Sequence, residues 1–436
     1  MTSNALTAAS LLDRWSSVTV EEKLKLFHAL PHDEADDLFL GLSIHDQAEL
    51  LRAMPIGERR LWLRLLAPDD AADLAQEFNP KQRDELLREL DESTHSEVVA
   101  LLAYKDDVAG GRMSPRFARL RPESTVDEAI AYLRKQASSV ETIYYAYAVD
   151  DEQHLLGVVS LGDLFKAERT KHVHEVMRTR FVSVPENTDQ EEVAKLFRQY
   201  HLLAIPVLDT ARHIKGIVTI DDIVSIIQEE ASEDIQKMGG SEVLDGPYLQ
   251  ISFLEMVKKR AGWLAILFVG EMLTATAMGY FADEIAKAVV LALFLPLIIS
   301  SGGNSGSQAT TLVIRAMALG QVRLGDWFRV LRREVMAGVV LGTVLAMIGL
   351  MRILLWQKIS GAYGVHFVLI AITIAASLIG VVTFGTIAGS MLPFILRRCG
   401  LDPASASAPF VATLVDVTGL IIYFTFAAVI LRGTLL

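Results

Sequence analysis

SSGGNSGSQATT, residues 300–311, is a polar stretch inside a hydrophobic segment, and it decides how the second half of the chain folds. The residues directly before it, Leu297–Ile299, and directly after it, Leu312–Ile314, are all apolar. Pro296 removes one helical hydrogen bond, and the paired glycines of the stretch weaken the helix nearby. In lipid, backbone groups freed in this way must be buried against protein or line a water-filled cavity.

The polar side chains of this stretch also share one side of a helix. Asn304 and Gln308 are four residues apart and therefore lie on the same face, which hydroxyl residues at both ends extend. The stretch thus predicts a water-filled path through a membrane. Helix–helix packing is the alternative, and it explains Gly303 and Gly306 well but not the two amides.

The hydropathy of the chain changes near residue 260. Five apolar runs follow, each reaching the ~20 residues that cross a bilayer core: 261–282, 287–315, 335–355, 365–395 and 409–431. Basic residues cluster before the first run, between the second and third, and between the fourth and fifth. The positive-inside rule then predicts a multi-pass protein of the cell (inner) membrane, with its N-terminus cytoplasmic and its C-terminus outside. Residues 320–334 are too polar to span and predict an interfacial helix on the cytoplasmic face.

Three carboxylates within or beside these runs are candidate ligands. Asp416 is inside the fifth run, where an unpaired charge costs roughly 2.5–3.5 kcal/mol on insertion scales, so it indicates a functional site. No lysine or arginine lies at matching depth, and a bare carboxylate facing a polar path implies a cation. Glu271 in the first run is a further candidate, with a hydrogen bond to Thr274 or to a neighbouring helix as the alternative. Glu334 opens the third run, either as a ligand at the mouth or as a charge favoured by the helix dipole.

The charge is divided unevenly along the chain. Residues 1–250 hold 27 Lys+Arg and 45 Asp+Glu, whereas residues 251–436 hold 14 Lys+Arg and 8 Asp+Glu. An acidic first half argues against nucleic acid as a partner and suits cations instead. Cys399 is the only cysteine, which excludes an internal disulfide and argues against a cysteine metal site. The N-terminus lacks the pattern of a cleaved signal peptide, so we expect a cytoplasmic first half.

Residues 11–105 carry repeated helix-start signals. LPHDEADDLFLGL, APDDAADLAQEF and NPKQRDELLREL each begin with a proline signal, continue with polar residues that are mostly acidic in the first two, and then show leucines at helical spacing. Their recurrence predicts a superhelical stack of helices. A generic helical domain with solvated acidic faces is the alternative.

Two consecutive segments between residues 108 and 230 repeat one pattern. Each has a short strand, a capped helix, a strand ending in aspartate, a turn, and then GVVSLGD or GIVTIDD opening a helix. The repeat resembles a tandem of CBS modules, which implies a regulatory unit for ATP or another adenosine nucleotide. That resemblance puts Ser160, Asp163, Thr219 and Asp222 at the ribose and phosphate. Capping of the helices that follow is the alternative role of these residues.

Three membrane segments carry a second resemblance. They are PLIISSGGNSGSQATTLVIRAMALGQV (296–322), DPASASAPFVATLVDVTGLIIYF (402–424) and VKKRAGWLAILFVGEMLTATAMGYF (257–281). All three are similar to signature segments of the MgtE family of magnesium channels, and the order of domains agrees along nearly the whole chain. The resemblance implies a homodimer whose second and fifth spans line one pore. Asp416 would be its pore aspartate, and Gly303 and Asn304 its Gly-Asn pair. Mg²⁺ keeps several waters and needs only one or two carboxylates, which a two-fold axis supplies.

An acidic run follows the repeats in the sequence IIQEEASEDIQKM. In the family that the chain resembles, Mg²⁺ bound between the acidic cytosolic domains and this linking helix closes the pore. We hypothesise that Glu229, Glu230, Glu233 and Asp234 contribute some of the bridging ligands, although the resemblance does not assign the sensor acids one by one. A solvated charge run is the alternative.

Together these features predict a multidomain chain: an all-α N-terminal superhelical domain, an α/β tandem CBS module and an α-helical five-span transmembrane domain. The predicted boundaries are 1–105, 106–228, a linking (plug-like) helix over 229–258, and 259–436. The predicted function is a Mg²⁺-selective channel or transporter for uptake, closed by cytosolic Mg²⁺, with membrane lipid and a second copy as partners. The alternatives are a secondary exchanger of a divalent cation against H⁺ or Na⁺, and an adenosine-sensing protein that the spans only anchor. No catalytic constellation suggests an enzyme.

Overall fold

The computed structural model describes the chain except residues 1–6, 13, 16, 17, 245, 247, 250, 362 and 436, and the side chain of Lys287. The chain divides into two compact units, residues 1–230 and residues 231–436. The first unit holds a set of short helices and two small sheets, and the second holds long apolar helices. This arrangement confirms the predicted multidomain fold class, whereas the exact domain boundaries stay predictions.

Eight helices make up the described N-terminal part of the first unit: α1 (Ala8–Leu12), α2 (Val20–His28), α3 (His32–Gly41), α4 (Ile44–Ala53), α5 (Ile56–Leu63), α6 (Pro68–Gln76), α7 (Pro80–Leu87) and α8 (Glu92–Leu101). Ser43, Asn79 and Asp91 each accept a hydrogen bond from a backbone N–H in the first turn of the helix that they start. Helices two apart in sequence pack on each other: α1 on α3, α2 on α4, α4 on α6, and α6 on α8. This stacking matches the predicted superhelical arrangement.

Two copies of one α/β repeat follow. The first comprises β1 (Arg119–Leu120), α9 (Val126–Gln136), β2 (Tyr145–Val149), β3 (Leu155–Ser160) and α10 (Leu161–Lys166). The second comprises α11 (Val173–Val176), β4 (Val184–Pro185), α12 (Gln190–Tyr200), β5 (Ala204–Leu208), β6 (Ile214–Thr219) and α13 (Ile220–Met238). In each copy the three strands lie in chain order, the first pair parallel and the second antiparallel. The shared topology confirms the predicted tandem.

The helical domain and the second repeat share one hydrophobic core. Leu38 of α3 and Leu74 of α6 are fully buried in the same cluster as Ile205 and Val207 of β5 and Ile223 of α13. Burying each of these side chains contributes about 1.5–3 kcal/mol. The shared core therefore holds α6 and the start of α13 in one compact unit.

The second unit contains the long helices α14 (Phe253–Tyr280), α17 (Leu295–Ala318), α18 (Trp327–Ser360), α19 (Phe367–Arg398) and α20 (Ala408–Ile430). Two short helices, α15 (Ala282–Lys287) and α16 (Val289–Ala292), lie between α14 and α17, and 3-10 helices occur at Leu324–Asp326 and Pro403–Ser405. Among the described residues, five segments are long and apolar enough to cross a membrane: Phe253–Tyr280, Val289–Ala318, Leu324–Ser360, Phe367–Arg398 and Ala408–Ile430. These five spans coincide with the five predicted apolar runs.

The polar stretch of the second span remains helical, contrary to expectation. α17 runs without a break through Gly302, Gly303 and Gly306, so the predicted loss of helical backbone bonds does not occur. Pro296 falls in the first turn, where a helix needs no N–H donor and the fixed φ of proline is suitable.

Two other predicted helices have different limits in the structure. The interfacial helix expected at 320–334 is not separate, because Trp327 begins α18, which continues to Ser360. Residues 327–337 contain neither proline nor glycine to interrupt it. The linking helix expected over 229–258 is not one helix either. It ends at Met238, Gly240 turns the chain with a φ of +74°, and Ser252 caps α14.

Candidate functional site

One face of α17 carries exposed polar side chains within a membrane span. Ser300, Asn304, Gln308 and Thr311 are all exposed, which shows that the predicted face exists on a regular helix. Asn304 Nδ2 donates to Ser300 Oγ at 3.4 Å. Amides and hydroxyls can bond to water, or to the water shell of a passing cation.

The opposite face of α17 packs against two other spans through glycines. An ideal Cβ on Gly302 would lie 2.5 Å from Val381 Cγ1 on α19 and 2.8 Å from Val415 Cγ1 on α20. One on Gly306 would lie 2.8 Å from Val411 Cγ1. The packing alternative is therefore right for Gly306, and it applies to Gly302 as well.

Asp416 on α20 lies beside Gly303. An ideal Cβ on Gly303 would lie 3.9 Å from Asp416 Oδ1 and 3.5 Å from Ala412 Cβ, so Gly303 leaves room for one methyl group next to the carboxylate. The Asp416 carboxyl is half-buried and lies within hydrogen-bonding range of Glu271 on α14. The structure thus brings Gly303, Asp416 and Glu271 together, and Asn304 follows Gly303 on the exposed face.

Glu334 belongs to a different pair of helices. It lies in the first turns of α18 and is half-buried. Its backbone carbonyl accepts a hydrogen bond from Thr386 Oγ1 of α19 at 3.2 Å. The described contacts do not join Glu334 to Asp416, so its role as a ligand stays a prediction.

A second candidate site lies in the first unit, where α6 faces the start of α13. A cavity of about 280 Å³ there is lined by six carboxylate residues and one arginine, which together we call the acidic pocket: Asp69, Asp70, Asp73, Asp221, Asp222, Glu229 and Arg112. Arg112 binds Asp73 at 2.9 Å and Glu229 at 2.8 Å. One guanidinium does not balance six carboxylates, and oxygen-rich sites of this kind are what Mg²⁺ and Ca²⁺ prefer.

The electrostatics of the acidic pocket show that its charges are poorly compensated. Burial, together with the nearby Asp222 charge, raises the pKa of Asp69 well above its ordinary value. Burial raises the pKa of Asp73 to about 6, although Arg112 opposes this change. Burial also raises the pKa of Asp222 to about 7, against the hydrogen bonds that Thr219 donates to it. A divalent cation in the pocket would relieve this repulsion.

Sequence reasoning missed most of the acidic pocket. Asp69, Asp70 and Asp73 stood in a segment that was interpreted only as the acidic start of a helix. Their i, i+1 and i+4 spacing on α6 was a signal that they share one side of that helix. Nothing local indicated that Asp221 and Asp222 would face them, because that contact depends on the shared core.

The acids of the linking run do not share one environment. Glu229 lines the acidic pocket and pairs with Arg112. Glu230 accepts a hydrogen bond from Gln190 Nε2 of α12 at 2.5 Å. Of the four acids predicted as bridging ligands, the structure therefore places Glu229 in the pocket.

The other two acids of the run lie in the second unit, near the end of α13. Glu233 forms an ion pair with Lys237, and Lys237 also binds Asp402 Oδ2 at 2.6 Å. Burial opposes the charge of Lys237, but the hydrogen bonds that it donates to both carboxylates raise its pKa above the ordinary value. Asp234 is half-buried on the same helix. A ligand role for Glu233 and Asp234 stays a prediction.

The four residues predicted at the nucleotide make local contacts at the starts of α10 and α13. Ser160 Oγ accepts from the Asp163 backbone N–H at 3.0 Å, and Asp163 pairs with Arg178 at 3.0 Å. Thr219 Oγ1 donates to Asp222 Oδ2 at 2.7 Å. A cavity of about 600 Å³ on the first repeat contains none of the four and is lined by Arg119, Leu120, Arg121, Ser124, Glu128, Ala129, Tyr132, Val149, Asp150, Asp151 and Gln153. The capping alternative thus has support, and nucleotide binding stays a prediction.

Family models match the chain in three consecutive parts. The MgtE intracellular N domain matches residues 6–107, the CBS domain matches residues 106–169 and 173–229, and MgtE, described as a divalent cation transporter, matches residues 295–426.

Individual relatives match over most of their length. The magnesium transporter MgtE of Thermus thermophilus is 38% identical over 426 residues, which cover 97% of this chain and 93% of the relative. The magnesium transporter MgtE of Enterococcus faecalis is 32% identical, over 92% of this chain and 94% of the relative. A crystal structure of the cytosolic domain of the Mg²⁺ channel MgtE in complex with ATP is 38% identical, covers 50% of this chain and 90% of that chain, and has a TM-score of 0.48. On the full-length matches, the chain belongs to the MgtE family of magnesium transporters.

Proposed function

We propose that this chain is a Mg²⁺ channel for uptake, and that the acidic pocket senses cytosolic Mg²⁺ and closes it. The observation that carries the transport path is the exposed polar face of α17 beside Asp416. The predicted orientation in the inner membrane, with the N-terminus cytoplasmic and the C-terminus outside, puts the acidic half on the side where the ion accumulates. Asp416 is then the main cation ligand, with Asn304 and Gly303 shaping the constriction.

A second copy of the chain completes the path. The polar face of α17 points out of the protomer rather than into its core. Hydrocarbon offers no partner for amide and hydroxyl groups, so another surface or water must cover this face. Two-fold symmetry brings two such faces together and supplies one Asp416 from each protomer. Two carboxylates around a hydrated ion suit Mg²⁺, which dehydrates reluctantly.

The acidic pocket accounts for closure by Mg²⁺. Without a divalent cation the carboxylates on α6 and α13 repel each other, which opposes packing of the helical domain on the second repeat. Mg²⁺ offsets the repulsion, so the packed arrangement binds Mg²⁺ more tightly than the separated one. A ligand shifts an equilibrium only by such a difference in affinity. Because α13 runs unbroken from the pocket to Met238, a change at the pocket moves a helix that continues into the second unit.

The CBS tandem is the proposed site of an adenosine nucleotide. Family models for this module match both repeats. Asp163 is the better candidate for a ribose contact, because Asp222 is already hydrogen-bonded to Thr219 and lines the acidic pocket. Titration of the full-length protein with ATP tests this. Asp163→Ala should weaken ATP binding, and unchanged binding would assign Asp163 to capping alone.

Patch recordings of the full-length protein, with Mg²⁺ varied on each face, test the channel. Linear unitary currents that stop when cytosolic Mg²⁺ rises are expected. Asp416→Ala should abolish Mg²⁺ flux while the dimer still assembles, and Asp283→Asn, which removes an exposed acid just after the first span, serves as the matched control. Mg²⁺-selective flux in Asp416→Ala would contradict the pore assignment. Transport of the divalent cation in a fixed ratio to H⁺ or Na⁺ moving the opposite way would instead identify an exchanger.

A further inference from the structure

The proposed pore leaves Glu271 unexplained. Glu271 lies in α14, 11 residues after Arg260 and 9 before Tyr280. At about 1.5 Å per residue it is near the middle of the span. α14 has no lysine or arginine between Arg260 and its end. An isolated carboxylate at this depth is strongly unfavourable, so Glu271 needs a partner.

The partner comes from the fifth span. The carboxyl groups of Glu271 and Asp416 lie within hydrogen-bonding range of each other. Gly270 permits this approach, because an ideal Cβ at that position would lie 2.9 Å from Thr413 Cγ2. α14 and α20 therefore pack closely at the level of the two carboxyl groups. Two ionised carboxylates this close repel each other unless a cation or a proton lies between them.

A buried hydroxyl at the same place also lacks a partner. Thr274 lies one turn beyond Glu271 on the same side of α14, and it is the one buried residue of that helix, at 7% exposure. Among the described residues, no protein group forms a hydrogen bond with its Oγ1. Buried hydroxyls nearly always have a partner, so this one points to a water or an ion between α14 and α20.

We propose that Glu271, Asp416 and the Thr274 hydroxyl form a cation site within each protomer, and that Glu271 sets the preference for divalent over monovalent cations. This inference rests on the proposed function, because Asp416 is the proposed pore ligand. Two carboxylates match the charge of a divalent cation and exceed that of a monovalent one. All three groups offer oxygen, the donor that hard cations such as Mg²⁺ prefer, and Thr274 binds the ion or one of its waters.

The test removes the charge of Glu271 and keeps its size. Full-length Glu271→Gln in liposomes should need at least about tenfold more external Mg²⁺ for half-maximal flux, the loss expected for roughly one strong ligand. Its Na⁺ flux at low Mg²⁺ should be less sensitive to Mg²⁺ block, and its maximal Mg²⁺ flux should persist. Cytosolic Mg²⁺ is held low throughout, so that the gate stays open. Asp283→Asn is the matched control and should behave as the wild type.

Two further variants keep the inference falsifiable if Glu271→Gln fails to assemble. Glu271→Asp retains the charge and should recover most of the Mg²⁺ affinity, and Thr274→Val should weaken affinity to a smaller extent. If Glu271→Gln has the same Mg²⁺ dependence of flux and the same Mg²⁺ block of Na⁺ flux as the wild type, the inference is overturned. A change confined to the pH dependence of flux would overturn it as well, because a proton would then occupy the pair. If Asp416→Ala loses Mg²⁺ flux while the Glu271 variants behave as the wild type, the proposed pore is supported and only this inference is refuted.

Discussion

Replacing Asp222 with asparagine should stabilise the packed cytosolic unit in the absence of Mg²⁺. The change removes one of the six carboxyl groups of the acidic pocket. Burial raises the pKa of Asp222 to about 7 from an ordinary 3.8. At about 1.36 kcal/mol per unit of pKa, ionised Asp222 opposes the packed arrangement by about 4 kcal/mol. Asparagine retains the shape and can still accept the hydrogen bond from Thr219, so most of this opposition should disappear.

The expected pH dependence follows from the direction of the pKa. A carboxyl whose pKa is raised in the folded state stabilises that state fully below about 3.8 and loses this contribution as the pH rises through about 7. The Mg²⁺-free wild type should therefore become more sensitive to protease as the pH rises from about 4 to about 7. Mg²⁺ at about 1,000 times its Kd contributes about 4 kcal/mol, enough to offset the charge of Asp222.

Limited proteolysis of the full-length protein in detergent, with and without Mg²⁺, measures both effects. Asp222→Asn should show weaker pH dependence and a smaller gain in protection from Mg²⁺ than the wild type. Asp84→Asn is the matched control, because Asp84 is an exposed acid on α7 outside the acidic pocket. If Asp222→Asn and the wild type have the same pH dependence and the same Mg²⁺ protection, the pocket is not the sensor.

Two further predictions concern the membrane unit. Gly302→Ala should destabilise it by about 1–3 kcal/mol through overpacking, because the new Cβ would lie 2.5 Å from Val381 Cγ1. Gly303→Ala should be tolerated, because the Cβ at that position has room. Equal melting temperatures of the two variants in detergent would count against the packing interpretation. Lys237→Met should break the partly exposed ion pair with Asp402, worth about 0–1 kcal/mol, and raise the cytosolic Mg²⁺ needed for closure by up to about fivefold. Unchanged closure in Lys237→Met would show that this pair takes no part in gating.

Some of these features were open to prediction because their signals are local. A run of about 20 apolar residues predicts a span wherever it occurs, and the part of the chain that the structure describes has five such helices in the expected places. The alternation of strand and helix patterns likewise predicted the tandem repeat. Local signals were less reliable for breaks. Glycines at 302, 303 and 306 suggested a weakened helix, but close packing on α19 and α20 holds it regular.

The sequence by itself determined the spans, the repeats and the polar face around Asn304, since each follows from neighbouring residues and one helical or strand period. It also singled out Asp416 as a candidate ligand, because that carboxylate lies inside an apolar run. Only the tertiary structure decided which carboxylates meet. Asp69 and Asp222 are far apart in the chain and face one pocket because apolar residues of α6, β5 and α13 bury one another. Glu271 reaches Asp416 because Gly270 lets α14 pack closely on α20. The pairing of charges follows from where the apolar surface is buried, and no local pattern in the sequence records that.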